Sequence, residues 1–189
     1  MKTNLLKFAA ASLAALLLSV AAKADLINGN ISFAGSMSTN NGGIIGATSI
    51  NFPSYGQFVF TVDGDFASYV SVYNSATFAP SWNFSSGGSL PGLWSVGGFT
   101  FNLQSSTIIV QGLVGNNYWL VIEGTGTVVG NGFDPTVGSW SFTTQNKNNT
   151  STSGFSFSAQ SSAVPDGGTT ALLVGLGLVG MSVIARRRK

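Results

Sequence analysis

Residues 106–123 read STIIVQGLVGNNYWLVIE and give the clearest indication of the fold class. Two runs in this stretch, 106–113 and 118–123, are rich in the branched and aromatic side chains that strands favour. Between them lie Gly115, Asn116 and Asn117, and Gly and Asn tolerate the positive φ that a tight hairpin turn requires. The stretch therefore predicts a β-hairpin, and its dense apolar runs predict two central strands buried on both faces.

On either side of this hairpin, short runs alternate apolar and polar residues with a period of two, which is typical of strands. Phe58, Phe60 and Val62 are expected to share one face of such a strand, and so are Phe99, Phe101 and Leu103. Besides the two strands of the hairpin, the predicted strands cover residues 27–34, 57–62, 69–73, 77–84, 94–103, 125–129, 139–144 and 154–159.

The segments between these strands are rich in turn-forming residues. Asp134 and Pro135 predict a turn that ends at Gly138, and residues 145–153 predict an exposed hairpin loop. The aromatic faces of about ten short antiparallel strands must be buried against one another. This favours an all-β fold, namely an antiparallel two-sheet β-sandwich of jelly-roll-like form. The passenger domain is predicted over residues 25–158, followed by a flexible stalk over 159–163.

The composition of the passenger excludes several classes of function. Residues 25–164 carry one Lys against five acidic residues, a net charge of −4, so the isoelectric point near 9.1 comes from the two ends of the chain and is not a nucleic-acid footprint. The chain has no Cys and no His, which excludes disulfides, Ser–His–Asp and Cys–His catalysis and His-ligated zinc. No cofactor and no nucleic-acid partner is predicted.

The first 24 residues match an export signal. Lys2 and Lys7 precede an apolar run over 8–20, and Ala22 and Ala24 form a small-residue cleavage site, so residues 1–24 are predicted to be a signal peptide cut after Ala24. The alternative is an uncleaved anchor helix.

The last 26 residues have three consecutive parts. The motif Val164-Pro165-Asp166-Gly167-Gly168 comes first, and the 19 residues 167–185 carry no charge. As a helix they would span about 28 Å, close to the hydrocarbon thickness of a bilayer. The terminal cations Arg186, Arg187, Arg188 and Lys189 are expected to stay cytoplasmic and stop transfer, which argues against the alternative of a buried core helix.

This layout of residues 164–189 resembles the VPDSG variety of the PEP-CTERM sorting signal, with Gly167 where that variety usually has Ser. The resemblance implies recognition by an exosortase-type membrane transpeptidase, with cleavage near Pro165 and Asp166. It also implies export through the inner membrane of a Gram-negative bacterium, transient anchoring in membrane lipid through the C-terminal transmembrane helix, and delivery to the cell surface or the extracellular space.

Few residues of the passenger are candidates for chemistry. Asp63-Gly64-Asp65 offers paired oxygens to Ca²⁺, but the preferred interpretation is a solvated turn in which Gly64 supplies the positive φ and both aspartates cap local amides. Glu123 with Asp63, Asp65 or Asp134 could form the carboxyl pair of a glycoside hydrolase.

Aromatic residues are the remaining candidates, because their faces stack on sugar rings. Tyr55 and Trp82 are preferred as glycan contacts because both lie beside loops that contain Pro or Gly. The chain is therefore predicted to be an exported, exosortase-processed protein of the cell envelope or extracellular matrix with a non-enzymatic role. The alternatives are a carbohydrate-binding module, with extracellular polysaccharide as partner, and a secreted glycoside hydrolase.

Overall fold

The computed structural model describes residues 25–150 and 152–161, which form eleven β-strands and one short 3-10 helix (Gly64–Ser68). Within these residues no helix is both long and apolar enough to cross a membrane. The predicted signal peptide and sorting signal lie outside the described residues. The strands are β1 (Gly29–Thr39), β2 (Ser49–Asn51), β3 (Phe58–Val62), β4 (Thr77–Phe78), β5 (Ser81–Asn83), β6 (Leu90–Val96), β7 (Phe99–Leu103), β8 (Thr107–Val114), β9 (Asn117–Gly130), β10 (Phe133–Asn146) and β11 (Thr152–Ser161).

All strand pairs are antiparallel, and the main path of the sheet runs β4-β6-β7-β9-β10-β11-β1-β2-β5. The long strands β9 and β1 each have two partners on one side. The first part of β9 pairs with β8 and its last part with β7, while β1 pairs first with β3 and then with β2. The sheet therefore divides at both ends and folds over itself, which confirms an antiparallel β architecture of sandwich-like form.

Aromatic side chains fill the space enclosed by this fold. Trp94 stacks on Phe101 with ring centroids 5.4 Å apart, and Phe33 contacts Trp94 at 4.8 Å. Phe142 on β10 stacks on Phe155 on β11, with ring centroids 5.5 Å apart. Because aromatic pairs add about 0.5–1.5 kcal/mol to the gain from burial, this cluster stabilises the fold without a disulfide.

The structure confirms the predicted hairpin of β8 and β9. Val114 pairs with Asn117, and Gly115 adopts φ +61° in the turn between them. The strand β9 is central, as predicted, because β10 covers one of its edges and β8 and β7 cover the other. It is not buried on both faces, however, since Leu120 and Ile122 are buried whereas Glu123 is exposed. The same prediction is wrong for β8, whose one strand partner among the described residues is β9 and whose Leu113 and Val114 are exposed.

The prediction that Phe58, Phe60 and Val62 share a face is also wrong. The register of β3 against β1 shifts between the pairs Ser32–Thr61 and Phe33–Val59, so that Phe60 is the extra residue of a bulge. A bulge reverses the alternation of the strand that carries it. As a result Val62 pairs with the buried Ile31 and packs against the core, whereas Phe58 pairs with Ala34 on the other face and Phe60 is exposed.

The predicted turn at Asp134 and Pro135 lies inside a strand. The chain turns earlier, at Asn131 and Gly132, whose φ values are +52° and +80°. Asp134 and Pro135 lie where the register of β10 against β9 shifts, between Phe133 and Thr136. Proline has no backbone N–H to donate to the ladder, and such a shift tolerates its absence. The two predicted strands on either side are accordingly much longer, since β9 and β10 have 14 residues each.

Four other predictions change in their boundaries. Residues 69–73 form no strand and instead follow the 3-10 helix, with Val70 buried and Tyr69, Val72 and Tyr73 exposed. Residues 77–84 divide into β4 and β5, and residues 94–103 into the hairpin of β6 and β7. The predicted stalk is wrong for residues 159–161, which belong to β11 and pair with both β1 and β10. The predicted loop between the last two strands is confirmed, since β10 ends at Asn146 and β11 begins at Thr152.

Candidate functional site

Six neighbouring strands, in the order β3-β1-β11-β10-β9-β8, present a polar outer face on the side opposite the aromatic core. One transverse row of residues crosses all six strands in register, and we call it the hydroxyl row. Each member pairs with the next across the sheet, and five of the six carry a hydroxyl group. The hydroxyl row consists of Thr61, Ser32, Ser158, Ser141, Glu123 and Thr107.

A second polar row lies two residues further along the same strands. It consists of Asn30, Gln160, Ser139 and Thr125, which are again paired in register. The two rows together line a shallow depression of about 680 Å³, which we call the first depression. Apart from Glu123, whose carboxylate only accepts, the side chains of these two rows can both donate and accept hydrogen bonds.

The second depression adjoins the first on the same face and has a volume of about 600 Å³. Trp119 on β9 and Phe58 on β3 lie at its two sides, and both are partly buried. Ala34, Ser156 and Thr143 lie between these aromatic residues in one paired row. Gly112 is the residue opposite Trp119 on β8, and the space above its Cα is open. The residue directly opposite Trp119 on that strand therefore has no side chain to cover the indole.

The hydrogen bonds of the outer face divide its residues into two groups. At the rim, Ser32 Oγ lies 2.6 Å from Thr61 Oγ1 and accepts the Thr61 backbone N–H at 3.1 Å. In the centre, the side chains of Ser139, Ser141, Ser158 and Gln160 make no hydrogen bond to the described part of the chain. These central groups are free to bond a ligand.

Glu123 is the one charged residue among the described residues that line the two depressions. Four strand spacings separate it from Thr61 on β3, a distance of about 19 Å at 4.8 Å per strand. Asp63 and Asp65 lie beyond that end of β3. The carboxyl groups of glycoside hydrolases stand only about 5–9.5 Å apart, so the structure does not bring Glu123 together with either aspartate.

Asp63 and Asp65 instead hold the start of β1. Asp63 Oδ1 accepts the backbone N–H of Asn30 at 2.6 Å, and Asp65 Oδ2 accepts that of Asn28 at 2.7 Å. Gly64 between them adopts φ +58°, and a Cβ there would collide with the Asn28 carbonyl oxygen. The capped turn is therefore the arrangement observed, and no cluster of three metal-ligating side chains occurs in residues 25–150 and 152–161.

Asp134, the other possible partner of Glu123, lies near the start of β10. Its backbone N–H donates to Asp25 O at 3.1 Å. Seven residues separate Asp134 from Ser141, which pairs with Glu123, so the two carboxylates are about 20 Å apart along the strand. None of the three predicted carboxyl pairs forms.

The two predicted glycan contacts have opposite outcomes. Tyr55 is 79% exposed in the loop before β3, beside Gly56 of the second depression. Trp82 is 1% exposed, and the rings of Trp140 and Phe142 pack against its indole, so the prediction that it contacts a glycan is wrong. The sequence does not distinguish Trp119 and Phe58 from other aromatic residues, because a run of apolar residues does not indicate which strand faces lie side by side.

No protein-family model matches this chain, and comparison with curated proteins and with solved structures gives no significant match.

Proposed function

We propose that this chain is an exported, exosortase-processed protein of the cell envelope or extracellular matrix, and that its outer face has a non-enzymatic binding role. The observation that carries the proposal is the composition of that face, where hydroxyl and amide groups surround a single carboxylate. Such a surface offers many hydrogen bonds and no pair of acid and base for hydrolysis.

The targeting part of the proposal rests on the two ends of the chain. Residues 1–24 would direct export, and residues 164–189 would place a helix in membrane lipid until an exosortase-type transpeptidase cuts near Pro165 and Asp166. The compact passenger would then reach the cell surface or the medium. We also propose the jelly-roll-like connectivity for the passenger, supported by the pairing of its first strand, β1, with its last, β11.

The rival function is glycoside hydrolysis, which the Glu123→Gln variant tests. Full-length wild-type and variant protein are incubated with a panel of polysaccharides, and the release of reducing ends is measured. We expect no release by either protein, and release by the wild type that the variant lacks would overturn the non-enzymatic role. Asp134→Asn is the matched control, because it makes the same carboxylate-to-amide change at a residue that lines neither depression.

The targeting proposal has its own test. The intact mass of the protein recovered from each cell fraction shows whether both ends have been removed. We expect a product that begins after Ala24 and ends near Asp166, found at the surface or in the medium. A full-length chain confined to the cytoplasm would contradict export.

A further inference from the structure

We propose that the two depressions of the outer face form one continuous groove for a neutral polysaccharide, with Trp119 and Phe58 as its aromatic sides. This inference rests on the proposed function, since it names the partner of the same face. It commits to an uncharged glycan chain as the occupant of that face.

The aromatic sides supply the apolar part of the recognition. The C–H faces of a sugar ring stack on aromatic faces, and a partly buried aromatic side chain loses little conformational entropy when a ligand binds. Trp119 belongs to the 14-residue strand β9, which has partners on both edges. Phe58 pairs with Ala34 on β1, and its ring contacts that of Tyr73 with centroids 6.0 Å apart. Both aromatic residues therefore belong to paired strands of the sheet.

The floor supplies the polar part. The side chains of Ser139, Ser141, Ser158 and Gln160 have no hydrogen-bond partner in the described part of the chain, and each can donate and accept. Sugar hydroxyls have the same double capacity, so a polyol can satisfy both sides of each contact. A floor made of apolar side chains would offer nothing to these hydroxyls.

The charge of the groove selects against other polymers. Glu123 is the one charged residue among the described residues that line it, and residues 25–164 carry a net charge of −4. A nucleic acid or a polyanionic polysaccharide needs cations to neutralise it, and the lining supplies none. A neutral chain avoids this repulsion.

The dimensions of the groove favour a polymer over a single sugar. Four strand spacings, about 19 Å, separate β3 from β9, and six residues, about 20 Å along β9, separate Thr125 in the first depression from Trp119 in the second. Both depressions open to solvent along the face and adjoin each other. A chain of several sugar units can therefore lie across them without an end having to enter a closed pocket.

The distribution of tryptophan provides a direct probe. Trp82, Trp94 and Trp140 are each 3% exposed or less, so Trp119 is the tryptophan that a small quencher reaches most easily. The test uses the full chain in detergent and four probes, namely dextran, laminarin and galactomannan as neutral polysaccharides and alginate as an anionic one. Binding is measured on immobilised polysaccharide and by protection of Trp119 from acrylamide quenching.

We expect at least one neutral polysaccharide to bind and to protect Trp119, with little change between low and high salt. Trp119→Ala should weaken that binding by about tenfold, and Ser158→Lys, which places a long side chain on the floor, should weaken it too. Leu113→Ala is the matched control, because Leu113 is exposed on the same hairpin and lies outside both depressions. Thermal unfolding of each variant shows whether it is folded.

Three results would overturn the inference. The first is that no neutral polysaccharide binds. The second is that the Trp119→Ala and Ser158→Lys variants are folded and bind as tightly as the wild type. The third is that the protein prefers alginate and that high salt abolishes this preference. None of these contradicts the non-enzymatic role or the export route, which the Glu123→Gln assay and the intact mass test separately. Conversely, hydrolysis that depends on Glu123 would contradict the proposed non-enzymatic role even if the groove binds glycan.

Discussion

The indole of Trp82 meets that of Trp140 edge to face, with ring centroids 5.4 Å apart and an angle of 73° between the planes. Phe142 packs on another side of Trp82 at 5.7 Å. The short strand β5, which carries Trp82, is thereby held against β10 across the core. Trp82 connects two layers of the fold and is not available to a ligand.

Trp82→Ala should lower the free energy of unfolding by about 3–5 kcal/mol, because the substitution leaves a large cavity in the core. Trp82→Phe should cost less, since it keeps an aromatic ring and removes a buried indole N–H that has no hydrogen-bond partner among the described residues. Chemical unfolding followed by circular dichroism measures both. A variant with Ala at this position that unfolds like the wild type would contradict the packing described for β5.

Gly126 on β9 allows the ring of Phe101 to approach the backbone. A Cβ at residue 126 would collide with Phe101 Cζ and lie 2.8 Å from Asn102 O. Gly126→Ala should therefore destabilise the protein by about 1–3 kcal/mol through overpacking. Gly112→Ala is the control, because a Cβ there meets nothing within 4 Å, and it should change the free energy of unfolding by no more than about 0.5 kcal/mol. Equal effects at the two positions would contradict this arrangement of β7 against β9.

The sequence predicted most strands correctly where a strand has regular alternation and one buried face. Phe99, Phe101 and Leu103 alternate without interruption, and all three are buried as expected. The alternation failed at β3, because one extra residue at Phe60 reverses the faces and local sequence does not reveal a bulge. It also failed at β8, since an apolar run looks the same whether a strand is central or at an edge.

The candidate site was harder to predict than the fold, because it depends on register across strands that are distant in sequence. Ser32, Ser158 and Ser141 are ordinary polar residues in their own strands, and only their pairing places them in one row. The aspartates show the opposite case. Asp63-Gly64-Asp65 is a local motif, so the turn with positive φ at Gly64 could be predicted from the sequence alone.

Removing the carboxylate of Asp63 should loosen the start of β1. Asp63→Ala loses the acceptor for the Asn30 backbone N–H and should lower the free energy of unfolding by about 1 kcal/mol. Asp63→Asn keeps an acceptor oxygen and should cost less. We expect Ca²⁺ to leave the unfolding temperature of the wild type unchanged, and a Ca²⁺-dependent increase that Asp63→Ala abolishes would revive the metal interpretation.

The edge position of β8 predicts a contrast within one hairpin. Leu113 on β8 is exposed, whereas Leu120 on β9 is fully buried. Leu113→Lys should change the free energy of unfolding by no more than about 0.5 kcal/mol, while Leu120→Lys should cost more than about 4 kcal/mol because it buries an unpaired charge. Thermal and chemical unfolding of both variants measure the difference. A large loss in Leu113→Lys would mean that β8 is covered after all.

The proposed sorting signal predicts that residues 164–189 are sufficient to hold an exported reporter in the membrane. An uncharged segment of 19 residues is long enough to cross the hydrocarbon layer, and the cations that follow it resist transfer. A periplasmic reporter fused to these residues should sediment with membranes in a strain that lacks exosortase. Replacing Arg186, Arg187, Arg188 and Lys189 by Ser should increase the fraction that passes through the membrane. If the intact fusion stays soluble, the segment does not insert, and the targeting part of the proposal fails while the groove on the outer face is unaffected.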